Sequence, residues 1–312
     1  MFTIRRFQPD DPDRMMALQA RCLQSCHDMH LLPAGFWRSP AFEDGRNIFG
    51  AVDGQGALLG YAALYPDYVS DRLDGARILW LGFNVDPHRP DAAAIRDALY
   101  DRALARVGEM ARQKPDQKLA LSVTYFAEGQ ASIAYFRARG FAPYESCYLL
   151  RRDLALPLPD LPTPDGVLVR PWRMETEAEQ RAYLAAYDSV FPEDKTWPAL
   201  QYFMTSPLWA VGTTFAAFDG DRLVGNVAVW YEPDAQRNAE RVGKTECVFT
   251  LPGWRRRGIA SYLLRQSMHY LERRGLAFAE LEAASDNEPA LSVYRALGYR
   301  IHKDEISLGL LL

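Results

Sequence analysis

The chain has 312 residues, 48% of them hydrophobic and 24% charged, which is ordinary globular composition and long enough for two cores at roughly 100–200 residues per domain. Its 36 Lys and Arg stand against 40 Asp and Glu, for a formal net charge of -4. Binding to a phosphate backbone draws on a basic excess that this sequence lacks, so nucleic acid is excluded as a general partner. No run approaches the roughly 20 apolar residues of a membrane span. The opening Met1-Phe2-Thr3-Ile4-Arg5-Arg6 lacks the apolar core of a signal peptide, so the expectation is a cytoplasmic protein with no membrane partner. Cys22, Cys26, Cys147 and Cys247 are too scattered for a disulfide framework and are expected to be reduced thiols.

Taken in chain order, Thr3-Ile4-Arg5-Arg6-Phe7 opens the first half as a strand. In the helix that follows, Cys22, Cys26 and His30 share one face. At helical rise they span about 12 Å of axis, too far for one ion, so no metal site is expected. Asp53-Gly54 reads as a turn before Leu59-Gly60, and Phe136-Arg137-Ala138-Arg139-Gly140-Phe141 closes a helix. Four prolines between Leu156 and Pro164 then mark an extended linker. Beyond it the pattern returns: Arg5 has a counterpart in Arg170, Ser39-Pro40 in Ser206-Pro207, Asp53-Gly54 in Asp219-Gly220, Gly60 in Gly225, and Phe136 to Phe141 in Tyr294 to Tyr299. Matches in the same order, four at offsets of 165 to 167 residues and the last at 158, predict a tandem duplication, with domains 1–154 and 166–312 joined by a linker, 155–165.

In the second half, Gly212 to Ala217 and Leu223 to Trp230 are strands about the Asp219-Gly220 turn, and Glu246 to Leu251 is a third, ended by Pro252-Gly253. From Ile259 onward, Ala260, Leu263, Leu264, Ser267, Met268 and Leu271 recur at helical spacing. Leu276 to Ala283 is a strand, and Pro289 to Leu297 a second helix with Asn287 as N-cap and Gly298 as stop. Strand, helix, strand, helix predicts an α/β (α+β) fold with a parallel step in the sheet.

The most informative stretch is Leu251-Pro252-Gly253-Trp254-Arg255-Arg256-Arg257-Gly258-Ile259-Ala260-Ser261, between a strand and a helix. The first amides of a helix have no intrahelical partner and its dipole is positive there, so such a turn can hold an anion. Gly258 and Ala260 keep the backbone approachable, and the three arginines add charge. A solvated helix start with a turning glycine is the plainer reading of these residues alone.

Here the sequence resembles the GCN5-related N-acetyltransferase (GNAT) family, whose signature Arg/Gln-x-x-Gly-x-Gly/Ala is matched by Arg255, Gly258 and Ala260. The resemblance continues through Asn287-Glu288-Pro289-Ala290-Leu291-Ser292-Val293-Tyr294-Arg295-Ala296-Leu297-Gly298-Tyr299, and Val169-Arg170 is similar to the family's opening strand. It implies a mixed sheet flanked by helices in each copy, splayed between two central parallel strands, with acetyl-CoA as cosubstrate in the gap. It further implies that the amides of Arg256, Arg257, Gly258, Ile259, Ala260 and Ser261 bind the pyrophosphate, and that the strand Cys247, Val248, Phe249, Thr250 pairs with the pantetheine. Tyr294 matches the proton-donor position; a phenol of pKa about 10 stays protonated at neutral pH and can donate to the leaving sulfur.

Asn287 is a candidate for hydrogen bonding to the cofactor, with helix capping as its alternative. A base is needed because an amine is protonated at pH 7; Glu246 is the candidate, a solvent-facing strand residue is its alternative reading, and Glu282 is the runner-up. Cys247 as a nucleophile is disfavoured against a small core residue. Tyr183, Tyr187, Phe191, Trp197, Tyr202, Phe203 and Trp209, with Asp188, Glu193 and Asp194, would suit a cationic amine, although such rings are more often core. The first copy has His88-Arg89-Pro90-Asp91-Ala92-Ala93-Ala94 at the junction and Phe136 at the acid position, which predicts a silent domain; the mycothiol synthase-like arrangement of tandem members is similar. The expected reaction is direct acetyl transfer to a primary amine of a small molecule or peptide, by a monomer or homodimer. Alternatives are a non-catalytic acyl-CoA sensor or scaffold, and a transferase of longer acyl chains.

Overall fold

The computed structural model describes residues 1–25, 36–191, 196–234 and 238–312. The chain divides into two compact units, Met1–Ser146 with Glu305–Leu312, and Cys147–Asp304.

The first unit runs β1 (Phe2–Arg6), α1 (Asp11–Ser25), β2 (Ile48–Asp53), β3 (Leu58–Ser70), β4 (Ala76–Val85), α2 (Ala92–Gln113), β5 (Leu119–Phe126) and α3 (Gln130–Arg137). Its strands pair in that order, antiparallel except for β4 and β5. The Asp53 carboxylate accepts the amides of Gln55 and Ala57, both at 2.9 Å, and so closes the turn that the Asp-Gly pair predicts. One face of α2 buries Ile95, Leu99, Ala103 and Val107 at four-residue spacing against Phe83, Leu121, Val123 and Phe136. Glu305–Leu311 completes the sheet, antiparallel to β5.

The second unit takes its edge from Cys147–Asp153 of β6 (Ala142–Asp153) and continues through β7 (Leu168–Trp172), α4 (Glu177–Asp188), α5 (Trp197–Met204), α6 (Pro207–Val211), β8 (Thr213–Asp219), β9 (Arg222–Tyr231), β10 (Val242–Thr250), α7 (Ile259–Glu272), β11 (Phe278–Ala284) and α8 (Glu288–Ala296). The strand order is β7-β8-β9-β10-β11-β6, with β10 and β11 parallel. Alternation along β8 divides the side chains between two cores. Phe215 and Ala217 join Ile259, Leu263, Leu264, Met268 and Leu271 of α7 on one face, while Ala216 and Phe218 join Trp172, Tyr183, Tyr187 and Trp209 on the other. The sheet is therefore mixed, with helices on both faces. The last strand of each sheet is exchanged relative to the sequence repeat: Cys147–Asp153, at the end of the first copy, pairs with β11, and Glu305–Leu311, the end of β12 (Arg300–Leu311), pairs with β5.

Candidate active site

In the second unit β10 and β11 are paired at only three positions, the last being Lys244 with Glu280, although the strands run on to Thr250 and Ala284. The parallel step thus opens into a gap. At the fork the Glu280 carboxylate, 4% exposed, accepts Lys244 Nζ at 2.8 Å and Arg151 Nε at 2.6 Å. Burial alone would push Glu280 up, but the two cations hold it below the usual carboxylate range. Above the fork β10 bulges. Glu246 faces Ala228 and Phe249 faces Asn226, so Cys247 and Val248 both stand opposite Val227. Cys247 takes φ +49°, unusual for a side chain with a Cβ. Its surroundings hold it there: the buried Tyr183 hydroxyl bonds its thiol, and Asn226 Nδ2 donates to its carbonyl at 3.4 Å. Asn226, fully buried, keeps its Oδ1 without a hydrogen-bond partner.

After β10 the chain makes a short turn over Pro252–Trp254, with Arg256 at φ +62° and Gly258 at φ +76°. A Cβ at Gly258 would meet nothing within 4 Å, so its backbone angle, and not crowding, calls for glycine. Four other helices of the unit have a side chain on their first amides: Thr176 for α4, Thr196 for α5, Ser206 for α6 and Asn287 for α8. At α7 the N-cap is Gly258 and no side chain caps it. The amides of Arg256 through Ser261 have no hydrogen-bond partner among the described residues. Around them Arg255, Arg256 and Arg257 are exposed and, among the described residues, none is ion-paired. Arg255 Nε donates to the Thr250 carbonyl at 3.1 Å, and the Arg257 guanidinium stacks 4.4 Å from the Trp254 ring centre. Unpartnered amides, a helix dipole and three unneutralised cations make this the kind of site that attracts a polyanion.

Tyr294 lies on α8, 6% exposed, and burial pushes its phenol up to about 12. The hydroxyl has no hydrogen-bond partner among the described residues, and its ring meets Tyr299 edge-on at 6.1 Å. Asn287 Oδ1 accepts the Ala290 amide at 3.3 Å, the capping alternative, which leaves its NH2 group. Glu246 is exposed on β10, and Glu282 is exposed on β11 opposite Leu149. Phe249 and Ile259 are buried, 3% and 1% exposed, so these two can serve a ligand only through their main chain. Of the aromatic residues after β7, Tyr183, Tyr187 and Trp209 are core, Phe191 and Phe203 pack beside them, and Trp197 lies 4.5 Å beneath the Arg181 guanidinium. Glu193 and Asp194 lie outside the described residues, as do Cys26 and His30 of the cysteine-rich helical face.

Sequence reasoning missed Glu280, Lys244, Asn226 and the Tyr183 contact. A carboxylate inside the apolar run of β11 was the available signal for Glu280, because a buried acid needs a cationic partner.

The first unit forks in the same way: β4 and β5 pair from Arg77 to Trp80 and then part. Its junction differs. Arg89 binds Asp91 through two hydrogen bonds, 2.7 and 3.1 Å, and the Ala92 amide is taken by the Arg89 carbonyl at 3.2 Å. Phe136, the counterpart of Tyr294, is 1% exposed within a cluster of rings.

Comparison with known proteins agrees with this architecture. Residues 175–299 match the acetyltransferase (GNAT) family. The chain is 27% identical over 271 residues to a mycothiol acetyltransferase of Segniliparus rotundus, covering 84% of this chain and 94% of that protein. It is 32% identical over 189 residues to one of a Nocardioides species, covering 56% of this chain and 63% of that protein, less than two thirds of its length. Among solved structures, a GCN5-related N-acetyltransferase of Sphaerobacter thermophilus aligns with TM-score 0.72 at 18% identity over 99% of this chain and 95% of that one. A tandem GNAT protein of the clavulanic acid biosynthesis pathway aligns with TM-score 0.73 at 17% identity over 100% and 98%. These two likenesses concern the fold. Among the described residues no helix is long and apolar enough to cross a membrane, and no group of three or more His, Cys, Asp or Glu is placed to hold a metal ion.

Proposed function

We propose that this chain, which belongs to the acetyltransferase (GNAT) family as a tandem member, transfers the acetyl group of acetyl-CoA to the primary amine of a small molecule, and that it does so in the unit Cys147–Asp304. The observation that carries the assignment to this unit is the mouth of α7. There the amides of Arg256 to Ser261 are unpartnered and Arg255, Arg256 and Arg257 are not ion-paired among the described residues, whereas the same junction in the first unit is closed by the Arg89–Asp91 pair. A diphosphate gains up to six N–H donors at the first mouth and meets a carboxylate at the second.

In this reading the bulged main chain of Cys247 to Thr250, which faces no strand on its β11 side, receives the amide-bearing arm of the donor as an added strand would. Asn287 offers its remaining NH2 group to the same ligand. Glu246, directly or through a water, takes the proton of the incoming ammonium, the freed nitrogen bonds to the acetyl carbonyl carbon, and the carbon–sulfur bond breaks. Tyr294 donates its hydroxyl hydrogen to the departing sulfur, and the second proton, given up by the nitrogen as it becomes an amide, returns to the Tyr294 oxygen directly or through water. Its raised pKa is compatible with that role, because the burial that raises a phenol also raises the thiol released beside it. The small-molecule acceptor is supported by relatives named for acetylation in mycothiol chemistry. The first unit has no proton donor at Phe136 and is read as catalytically silent.

The test is release of coenzyme thiol, followed with a chromogenic disulfide across a panel of amino sugars, polyamines and peptides with acetyl, propionyl and succinyl donors. Acetyl-dependent turnover on a small amine supports the proposal. Tight coenzyme binding with no turnover on any acceptor would make the chain a sensor, and a preference for a longer donor would reassign the acyl group.

A further inference from the structure

Where β4 and β5 of the first unit part, they leave a shallow cleft open to solvent. Phe83 and Val85 from β4, Tyr125 from β5 and Phe136 from α3 line it, with Arg96 of α2 and Tyr135 of α3. These six residues belong to one unit. The proposed function gives none of them a part in binding the donor or in the transfer.

The cleft combines apolar walls with one cation. The Arg96 guanidinium lies 5.1 Å from the Tyr135 ring centre and has no ion-pair partner among the described residues. The neighbouring acid is already engaged: Asp97 accepts the Tyr135 hydroxyl at 2.9 Å and is ion-paired with Arg139, whose guanidinium lies 3.6 Å from the Tyr135 ring centre. Arg96 is thus the charge left over in that group. A half-buried guanidinium with a planar fork of donors binds a carboxylate better than any neutral group, and aromatic walls suit an apolar body attached to it. This mouth offers a diphosphate less than that of α7: Arg89 is paired with Asp91, Pro90 has no amide, the Ala92 amide is bound to the Arg89 carbonyl, and Asp91 at the N-terminus of α2 opposes the charge of a phosphate.

We propose that this cleft is a ligand site of its own, which takes a small molecule joining an apolar or aromatic body to a single carboxylate, held by Arg96 and independent of coenzyme A. On this account duplication left the first unit with the gap between its strands and replaced the diphosphate grip by one deeper cation.

Calorimetry on the full chain tests it with 3-phenylpropionate, 4-phenylbutyrate and octanoate as probes and 4-phenylbutanol as the uncharged control. At least one carboxylate should bind at one equivalent per chain, tenfold or more tighter than the alcohol. Affinity should fall tenfold or more in both Arg96→Gln and Arg96→Ala while their melting temperatures and thiol-release rates stay at the parent values. Binding should persist with the chain saturated in coenzyme A. Heat from none of the three acids, equal binding by the Arg96 variants, or displacement of the probe by coenzyme A would each overturn the proposal. Thiol release by the parent chain, measured in parallel, keeps failure here distinct from failure of the transferase assignment.

Discussion

The Lys244 ammonium and the buried Glu280 carboxylate, 2.8 Å apart, sit on the last rung that joins β10 to β11. One residue further the strands part, so this ion pair, extended by Arg151 at 2.6 Å, fixes where the gap begins. Glu280→Gln keeps an acceptor and removes the charge, leaving two partly buried cations facing a neutral amide. It should cost about 2 kcal/mol of unfolding free energy, below the 3–5 typical of breaking a fully buried pair because both cations keep some contact with water. Because Glu280 is held below its unfolded value, its contribution is complete above the ordinary carboxylate range and is lost as pH falls through the folded value. Urea unfolding should therefore show a constant gap between parent and variant from pH 7 down to about pH 5, and a shrinking one below.

Tyr294→Phe keeps the ring and removes the hydroxyl. kcat should fall by about a hundredfold, within the range for loss of a general acid, with KM for acetyl-CoA changed by less than about threefold. With the phenol pushed up to about 12, no basic fall in kcat that disappears in the Phe variant should appear below about pH 10. Thiol-release profiles of the two proteins check both points.

Gly258→Val places a β-branched residue at φ +76°. The added atoms have open space, so the cost comes from the backbone, about 1–2 kcal/mol. If the chain relaxes by turning the amides aside, KM for acetyl-CoA should rise about tenfold with kcat less affected, which steady-state kinetics with a melting curve would separate.

Phe136→Tyr in the Tyr294→Phe background restores a phenol to the α3 position of the first unit. Activity should not return, because the Arg89–Asp91 pair still closes that junction. Recovery of thiol release would make the first unit a latent transferase.

How much of this was written in the sequence depends on the kind of interaction. The helix α7, its glycine start, Asn287 as a cap and Gly298 as a stop were legible, because each follows from local backbone chemistry within a few residues. The expected Glu246 to Leu251 strand begins earlier, at Val242, since pairing with β9 and β11 extends β10 through a stretch containing Gly243 and Lys244 that local propensity does not favour. Which strand closes each sheet was not legible: matched segments in the same order report similarity between the repeats, whereas the pairing of Cys147–Asp153 with β11 and of Glu305–Leu311 with β5 is set by long-range contacts. Nor was the fork. Lys244, Glu280 and Arg151 are far apart in the chain, and their meeting depends on the register of three strands.

The central claim is that the amides and arginines at the start of α7 hold the donor, and titration calorimetry with acetyl-CoA tests it most directly. The expected result is one equivalent bound per folded chain, affinity that weakens as salt rises, and loss of about a hundredfold or more in the triple change Arg255→Glu, Arg256→Glu, Arg257→Glu, with Arg89→Glu unaffected. No heat from folded protein, or binding that is lost with Arg89 and survives reversal of the three arginines, would contradict it.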